Sequence, residues 1–135
     1  DERVFMHIGI LKVASSLESR GHKVEFLDLS GIENYLKVVE DYCRSTNVKT
    51  FGLTASTPQV PFAVQIAQTI RATRPDSKII LGGPHVTLMH TASKREIKKG
   101  LEKSNRATED VNKLSELFDV LVFPATNFAL GYFLI

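Results

Sequence analysis

Apolar residues along this chain alternate between two periods. Between Gly9 and Arg20, Ile10, Val13, Ala14 and Leu17 fall on one helical face. Gly21 then predicts a left-handed C-terminal cap. Residues 24–29 read as a strand that begins after the Gly21-His22 pair. Leu36, Val39 and Cys43 share one face of a second helix, with Val38 and Tyr42 beside it. Residues 50–54 form a short strand pattern. Pro61 suits a first helical position, and Phe62, Ala63, Ile66, Ala67 and Ile70 then repeat at helical spacing. Pro75-Asp76 ends that helix. Residues 78–81 read as a strand running straight into Gly82-Gly83-Pro84-His85. Residues 93–117 read as helix in two pieces, with Gly100 or the Ser104-Asn105 pair as the weak point. Residues 119–123 read as a last strand. Residues 128–135 are strongly apolar and fit either period.

Four readable strands separated by helices predict an α/β fold of doubly wound type: a mostly parallel sheet in a three-layer arrangement. Residues 3–8 lead directly into the first helix. They read more as the start of that helix than as a buried strand, so the first strand of the sheet is expected to be short or missing. With 135 residues the chain reads as one domain, residues 1–135. A chain of this length buries about two-thirds of its unfolded surface, enough to need no disulfide or metal staple.

Composition narrows the function classes. The formal net charge is only +2, which gives no global argument for nucleic acid or membrane partners. The single cysteine, Cys43, can form no internal disulfide and cannot ligate a structural zinc or an iron–sulfur cluster alone. It sits on an apolar helix face and reads as a core residue. One cysteine fits a reducing, cytoplasmic setting. No apolar run approaches the ~20 residues of a membrane span. The start, Asp1-Glu2-Arg3, has no signal-peptide pattern and no initiator Met, as expected of a piece of a longer protein.

In open parallel sheets, ligands bind beyond the carboxyl ends of the strands. Thr54-Ala55-Ser56-Thr57-Pro58-Gln59 follows one strand and supplies hydroxyls and one amide there. Gly82-Gly83-Pro84-His85 follows the next, and adjacent glycines allow close backbone approach and positive φ. Together they describe a groove lined by small residues and hydroxyls, suited to a long, narrow polar ligand tail. Each loop also has a purely local reading. Ser56 and Thr57 serve equally as helix caps before Pro61, and Gly82-Gly83 as a tight strand-to-helix turn. His85 reads as a loop histidine, His7 and His22 as structural and His90 as exposed. Residues 94–106 carry six basic residues against two acidic ones, the pattern of a solvated helix face.

Several enzyme signatures are missing. There is no G-x-x-x-x-G-K-[ST] phosphate loop, no G-x-G-x-x-G after a first strand, and no Cys/His cluster at metal spacing. No nucleophile, base and orienting acid stand out as a set.

The order of motifs resembles the cobalamin (vitamin B12)-binding N-terminal domain of radical S-adenosylmethionine (SAM) enzymes. Met6-His7-Ile8-Gly9-Ile10-Leu11 is similar to the family's proline-leucine-glycine-leucine helix start. Gly21-His22-Lys23-Val24 with Leu27-Asp28-Leu29 resembles its G-H-x-V…D segment. Phe51-Gly52-Leu53-Thr54 with Thr57-Pro58-Gln59 resembles its third strand and hydroxyl loop, and residues 79–87, I-I-L-G-G-P-H-V-T, are the closest match. The resemblance implies a flavodoxin-like fold with the nucleotide tail of a base-off corrinoid held between the hydroxyl loop and the double glycine. Thr54, Ser56 and Thr57 would line the tail, Gly82 and Gly83 would let it pass, and Pro84 and His85 would shape the adjoining turn.

The departures are specific. The D-x-H-x-x-G motif, whose histidine ligates cobalt, is absent around His7, so no protein histidine on cobalt is expected. The family's G-E-G-E after the last strand is replaced by Pro124-Ala125-Thr126-Asn127, and its C-x-x-x-C-x-x-C cluster motif is absent. The chain alone is therefore expected to hold a corrinoid rather than to catalyse. The iron–sulfur cluster and S-adenosylmethionine would belong to a further domain, with that domain or another protein surface as partner. The parent would be a methyltransferase or cyclase. The alternatives are a diverged interaction or regulatory module on the same fold without cofactor and, ranked last, a stand-alone enzyme using the Gly82 loop for a sugar or nucleotide.

Overall fold

In the computed structural model the described residues are 8–29, 31–98 and 106–122. The first described element is helix α1 (Ile8–Ser19). It ends as the sequence predicts: Gly21 has φ +86°, its N–H donates to Glu18 O at 2.9 Å, and the His22 N–H donates to Leu17 O at 3.1 Å. This pair of bonds is the Schellman arrangement, which satisfies two of the helix's last carbonyls.

Helix α2 (Tyr35–Ser45), strand β1 (Thr50–Thr54), a 3₁₀ turn (Thr57–Gln59) and helix α3 (Val60–Thr73) follow. Strand β2 (Lys78–Gly82), helices α4 (Pro84–Lys98) and α5 (Arg106–Leu117) and strand β3 (Val120–Leu121) complete the described elements. The strands lie in the order β1-β2-β3 and both pairings are parallel. Parallel neighbours require crossovers, and α3 and the α4–α5 pair provide them.

The register places Phe51 beside Ile79, and Leu81 between Leu53 and Leu121. Side chains alternate along a strand, so these residues share one face. They join Val39 and Cys43 of α2, Ala63, Ile66, Ala67 and Ile70 of α3, Val86 and Met89 of α4, and Leu114 and Phe118 in a single core. The opposite face carries the row Gly52, Ile80, Val120. It opens towards β3: Gly52 is buried, Ile80 half-buried and Val120 45% exposed.

Three expectations are corrected. Residues 24–29 form no strand: among the described residues no backbone ladder joins them to β1. Leu27 and Leu29 pack against the core while Phe26 is 45% exposed. Apolar alternation reports burial of one face, and a strand also needs a neighbour to bond. Side chains hold this segment instead. Glu25 accepts hydrogen bonds from the Tyr42 hydroxyl and, at 3.4 Å, from Thr46 Oγ1. The helix expected from residue 93 begins nine residues earlier, at Pro84, directly after the glycine turn. His22, expected to be structural, is exposed, because the Schellman cap uses its backbone and leaves its ring in solvent.

The break between the two helical pieces, with Gly100 and Ser104-Asn105, lies outside the described residues. So do His7, Pro124–Asn127 and the apolar stretch 128–135.

Candidate functional site

Because β1 and β2 are adjacent and parallel, their carboxyl ends meet. Thr54 and Gly82 are register partners, and the ladder continues one step further, with the Ala55 N–H donating to Gly82 O at 3.2 Å. The hydroxyl turn and the glycine turn are therefore neighbours.

The contact is tighter than neighbourhood alone. Gly83 is buried, with φ +108°. A Cβ on it would lie 2.6 Å from Thr54 Oγ1, and 2.9 Å from both the N and the O of Ala55. Real side chains avoid such distances, so only glycine allows this turn to nest on the end of β1. The Gly83 carbonyl then receives the Thr87 N–H at 3.3 Å and the Thr87 hydroxyl at 3.2 Å, which seats the first turn of α4. Thr87 was not among the expected site residues. Its signal is only a hydroxyl four residues after the glycine.

The hydroxyl turn has its own internal lock. Gln59 Oε1 accepts the Ser56 N–H at 3.0 Å and the Ser56 hydroxyl at 2.9 Å. The Gln59 N–H donates back to Ser56 O at 2.9 Å. The capping reading of Ser56 is therefore present in the fold, and Ser-x-x-Gln is the pattern that announces it. Thr57 is exposed at the start of the 3₁₀ turn. It borders a groove of about 660 Å³ between α3 and α5, floored by Val60, Val64, Leu114 and Leu117.

The fold thus brings Thr54, Ser56, Thr57, Gly82 and Gly83 to one edge of the sheet. Pro84 and His85 open α4 at the same edge, and their side chains lie outside the described part. None of residues 54–59, 82 and 83 is ionisable. This edge can offer hydrogen bonds and close backbone approach, and residues 54–59, 82 and 83 bring no acid or base to it. Among the described residues no group of His, Cys, Asp and Glu is placed to hold a metal ion. No described helix is long and apolar enough to cross a membrane.

Cys43 stands apart from this edge. It is buried in the core, and burial pushes its thiol pKa up, with Arg74 acting weakly in the other direction.

No curated protein and no solved structure matches the chain. The family model for the B12 binding domain matches residues 3–100. That span contains both turns, both strands that carry them, and helices α1 to α4. The three-stranded parallel sheet with its helices is consistent with the flavodoxin-like fold of such domains. The chain belongs to the B12-binding domain family.

Proposed function

We propose that this chain is the cobalamin-holding module of a radical SAM enzyme, one domain over residues 1–135 of a longer, cytoplasmic protein. It keeps a base-off corrinoid at the carboxyl edge of its sheet. The observation that carries the reading is the family match over residues 3–100, a span in which the hydroxyl turn and the glycine turn meet at the register partners Thr54 and Gly82.

The residues present fit such a group. A bulky nucleotide tail needs an edge without large side chains, and Thr54, Ala55, Gly82 and Gly83 make one. Thr54, Ser56 and Thr57 would line the tail, and Pro84 and His85 would shape the turn beside it. The space a Cβ on Gly83 would take is already occupied by Thr54 and Ala55, so Gly82 and Gly83 would let the tail pass along the two turns. When bound, the corrinoid supplies a cobalt that carries an alkyl group or electrons. This chain's own part is to hold and orient it beside a reactive centre on the radical SAM domain. Cobalt would receive no histidine from this chain, whose sequence lacks the D-x-H-x-x-G pattern.

Titration with hydroxocobalamin, followed in the visible spectrum, tests the reading. Saturable binding with a base-off spectrum is expected, and the cob(II)alamin form should show no histidine nitrogen in its paramagnetic resonance spectrum. No binding at tens of micromolar overturns the ligand. A C-x-x-x-C-x-x-C cluster in the same reading frame is expected for the parent protein, and its absence overturns the radical SAM assignment.

A further inference from the structure

The sequence reads Gly82-Gly83 either as room for a ligand or as a tight strand-to-helix turn. The geometry points to a different role for the second glycine. We propose that Gly83 is a positioning residue: its missing side chain lets the turn after β2 lock onto Thr54 and Ala55, and this contact sets where the Ser56–Gln59 turn stands. Three observations carry it. Gly83 is buried by protein atoms. Its empty Cβ position points at Thr54 Oγ1 and at the Ala55 backbone. The Ala55 N–H is tied to Gly82 O, immediately before it. The Thr54 hydroxyl can rotate away, but Ala55 N and O are backbone atoms, and moving them moves the hydroxyl turn itself.

The consequence is that the two turns behave as one body. A ligand recognised by Ser56 and Thr57 depends on Gly83 without touching it. The ligand half of this proposal rests on the corrinoid reading above, and the lock does not.

Gly21 supplies the control. Its φ, +86°, is also left-handed, yet a Cβ there meets nothing within 4 Å. Gly21→Ala and Gly83→Ala therefore share the backbone strain, and only the second drives atoms into a neighbouring turn. In ligand-free protein, amide exchange at Ala55, Ser56 and Gln59 should be about tenfold faster in Gly83→Ala than in Gly21→Ala. Hydroxocobalamin should bind Gly83→Ala about tenfold more weakly, whereas dicyanocobinamide, which lacks the nucleotide tail, should be affected by less than about twofold. Equal exchange in the two variants overturns the lock and returns Gly83 to the role of making room. Equal weakening of both corrinoids overturns the link to the tail. If the unaltered chain binds no hydroxocobalamin, the corrinoid reading falls and the exchange comparison alone decides the lock. Should Gly83→Ala fail to fold, it is read in a Thr54→Ala background. Ala55 N and O still obstruct there, so exchange must exceed that of Thr54→Ala alone, and equality overturns the lock.

Discussion

Asp119 Oδ2 lies 2.8 Å from Arg71 Nη2 and 2.7 Å from the Ile79 nitrogen, so one carboxylate oxygen ties the approach to β3 to both α3 and β2. Arg71 also donates to the carbonyls of Ser77, at 2.7 Å, and Leu117, at 3.3 Å. Arg74 does the same for α2, through the carbonyls of Cys43 and Thr46. These contacts gather the carboxyl ends of three helices at the amino end of the sheet, opposite the hydroxyl and glycine turns. The fold is stitched at one end by charged side chains and left uncharged along the two turns at the other.

The stitch should be pH-dependent. The Arg71 guanidinium, and then the Ile79 N–H, hold the Asp119 carboxyl below the usual carboxylate range. A depressed folded pKa means stability that is present above the unfolded value, ~3.9, and lost as pH falls through the folded one. The pair is partly exposed, with side-chain exposures of 32% and 40%, so its charge contributes modestly. Asp119→Asn should lower stability by less than about 1 kcal/mol at pH 7, measured by urea unfolding. The gap should close below about pH 4. A gap that persists there would place the effect in packing rather than charge.

Residues 24–29 should depend on one hydroxyl. Burial first, and then the bond to Glu25, raise the Tyr42 pKa above its ordinary value. A raised pKa stabilises the fold below the unfolded value, ~10, and that contribution disappears as pH climbs through the folded value. Glu25→Gln should lower the Tyr42 titration midpoint without restoring it, because burial remains. Carbon NMR of the tyrosine rings reads this directly. A midpoint unchanged by the substitution would remove Glu25 from the account.

How much of this was legible beforehand differs by element, for physical reasons. Ala63, Ile66, Ala67 and Ile70 are buried as their spacing predicts, because a helix satisfies its own backbone and only its face has to be inferred. Phe62, from the same run, is 53% exposed and instead meets the ring of Tyr35 edge-on at 5.9 Å. Residues 24–29 failed as a strand because pairing is non-local and no local pattern names the partner. The two site turns were readable as loops after strands. Their mutual contact was not, since it depends on which strands are neighbours. Gln59 was visible as an amide, and its grip on Ser56 follows from the Ser-x-x-Gln spacing.

Cys43 should behave as a core residue with no chemistry of its own. It is 1% exposed and its thiol is pushed up by burial, so the reactive thiolate is scarce in the folded chain. Labelling by a thiol reagent at pH 7 should proceed at the rate of unfolding and accelerate with urea. Cys43→Ser should cost about 1–3 kcal/mol through a buried hydroxyl with poor partners, while Cys43→Ala should cost less. Fast labelling in native conditions would contradict the packing.

Gln59 offers the sharpest test of the hydroxyl turn. Its amide oxygen accepts from both donors of Ser56, the N–H and the hydroxyl, and its backbone N–H returns a bond to the Ser56 carbonyl. Gln59→Ala removes the side-chain half and leaves the backbone half, so a loss of about 0.5–1 kcal/mol is expected in thermal or urea unfolding. Gln59 and Gly83 act on the same few residues from opposite ends, one closing the turn on itself and the other seating it on β2. Residues that share a structural element do not add independently. The Gln59→Ala and Gly83→Ala pair should therefore accelerate Ser56 amide exchange by less than the product of the single effects, because either change alone already frees the turn. A product that is met in full would mean that the turn responds to the two contacts separately, and that the edge of this sheet is not a single body.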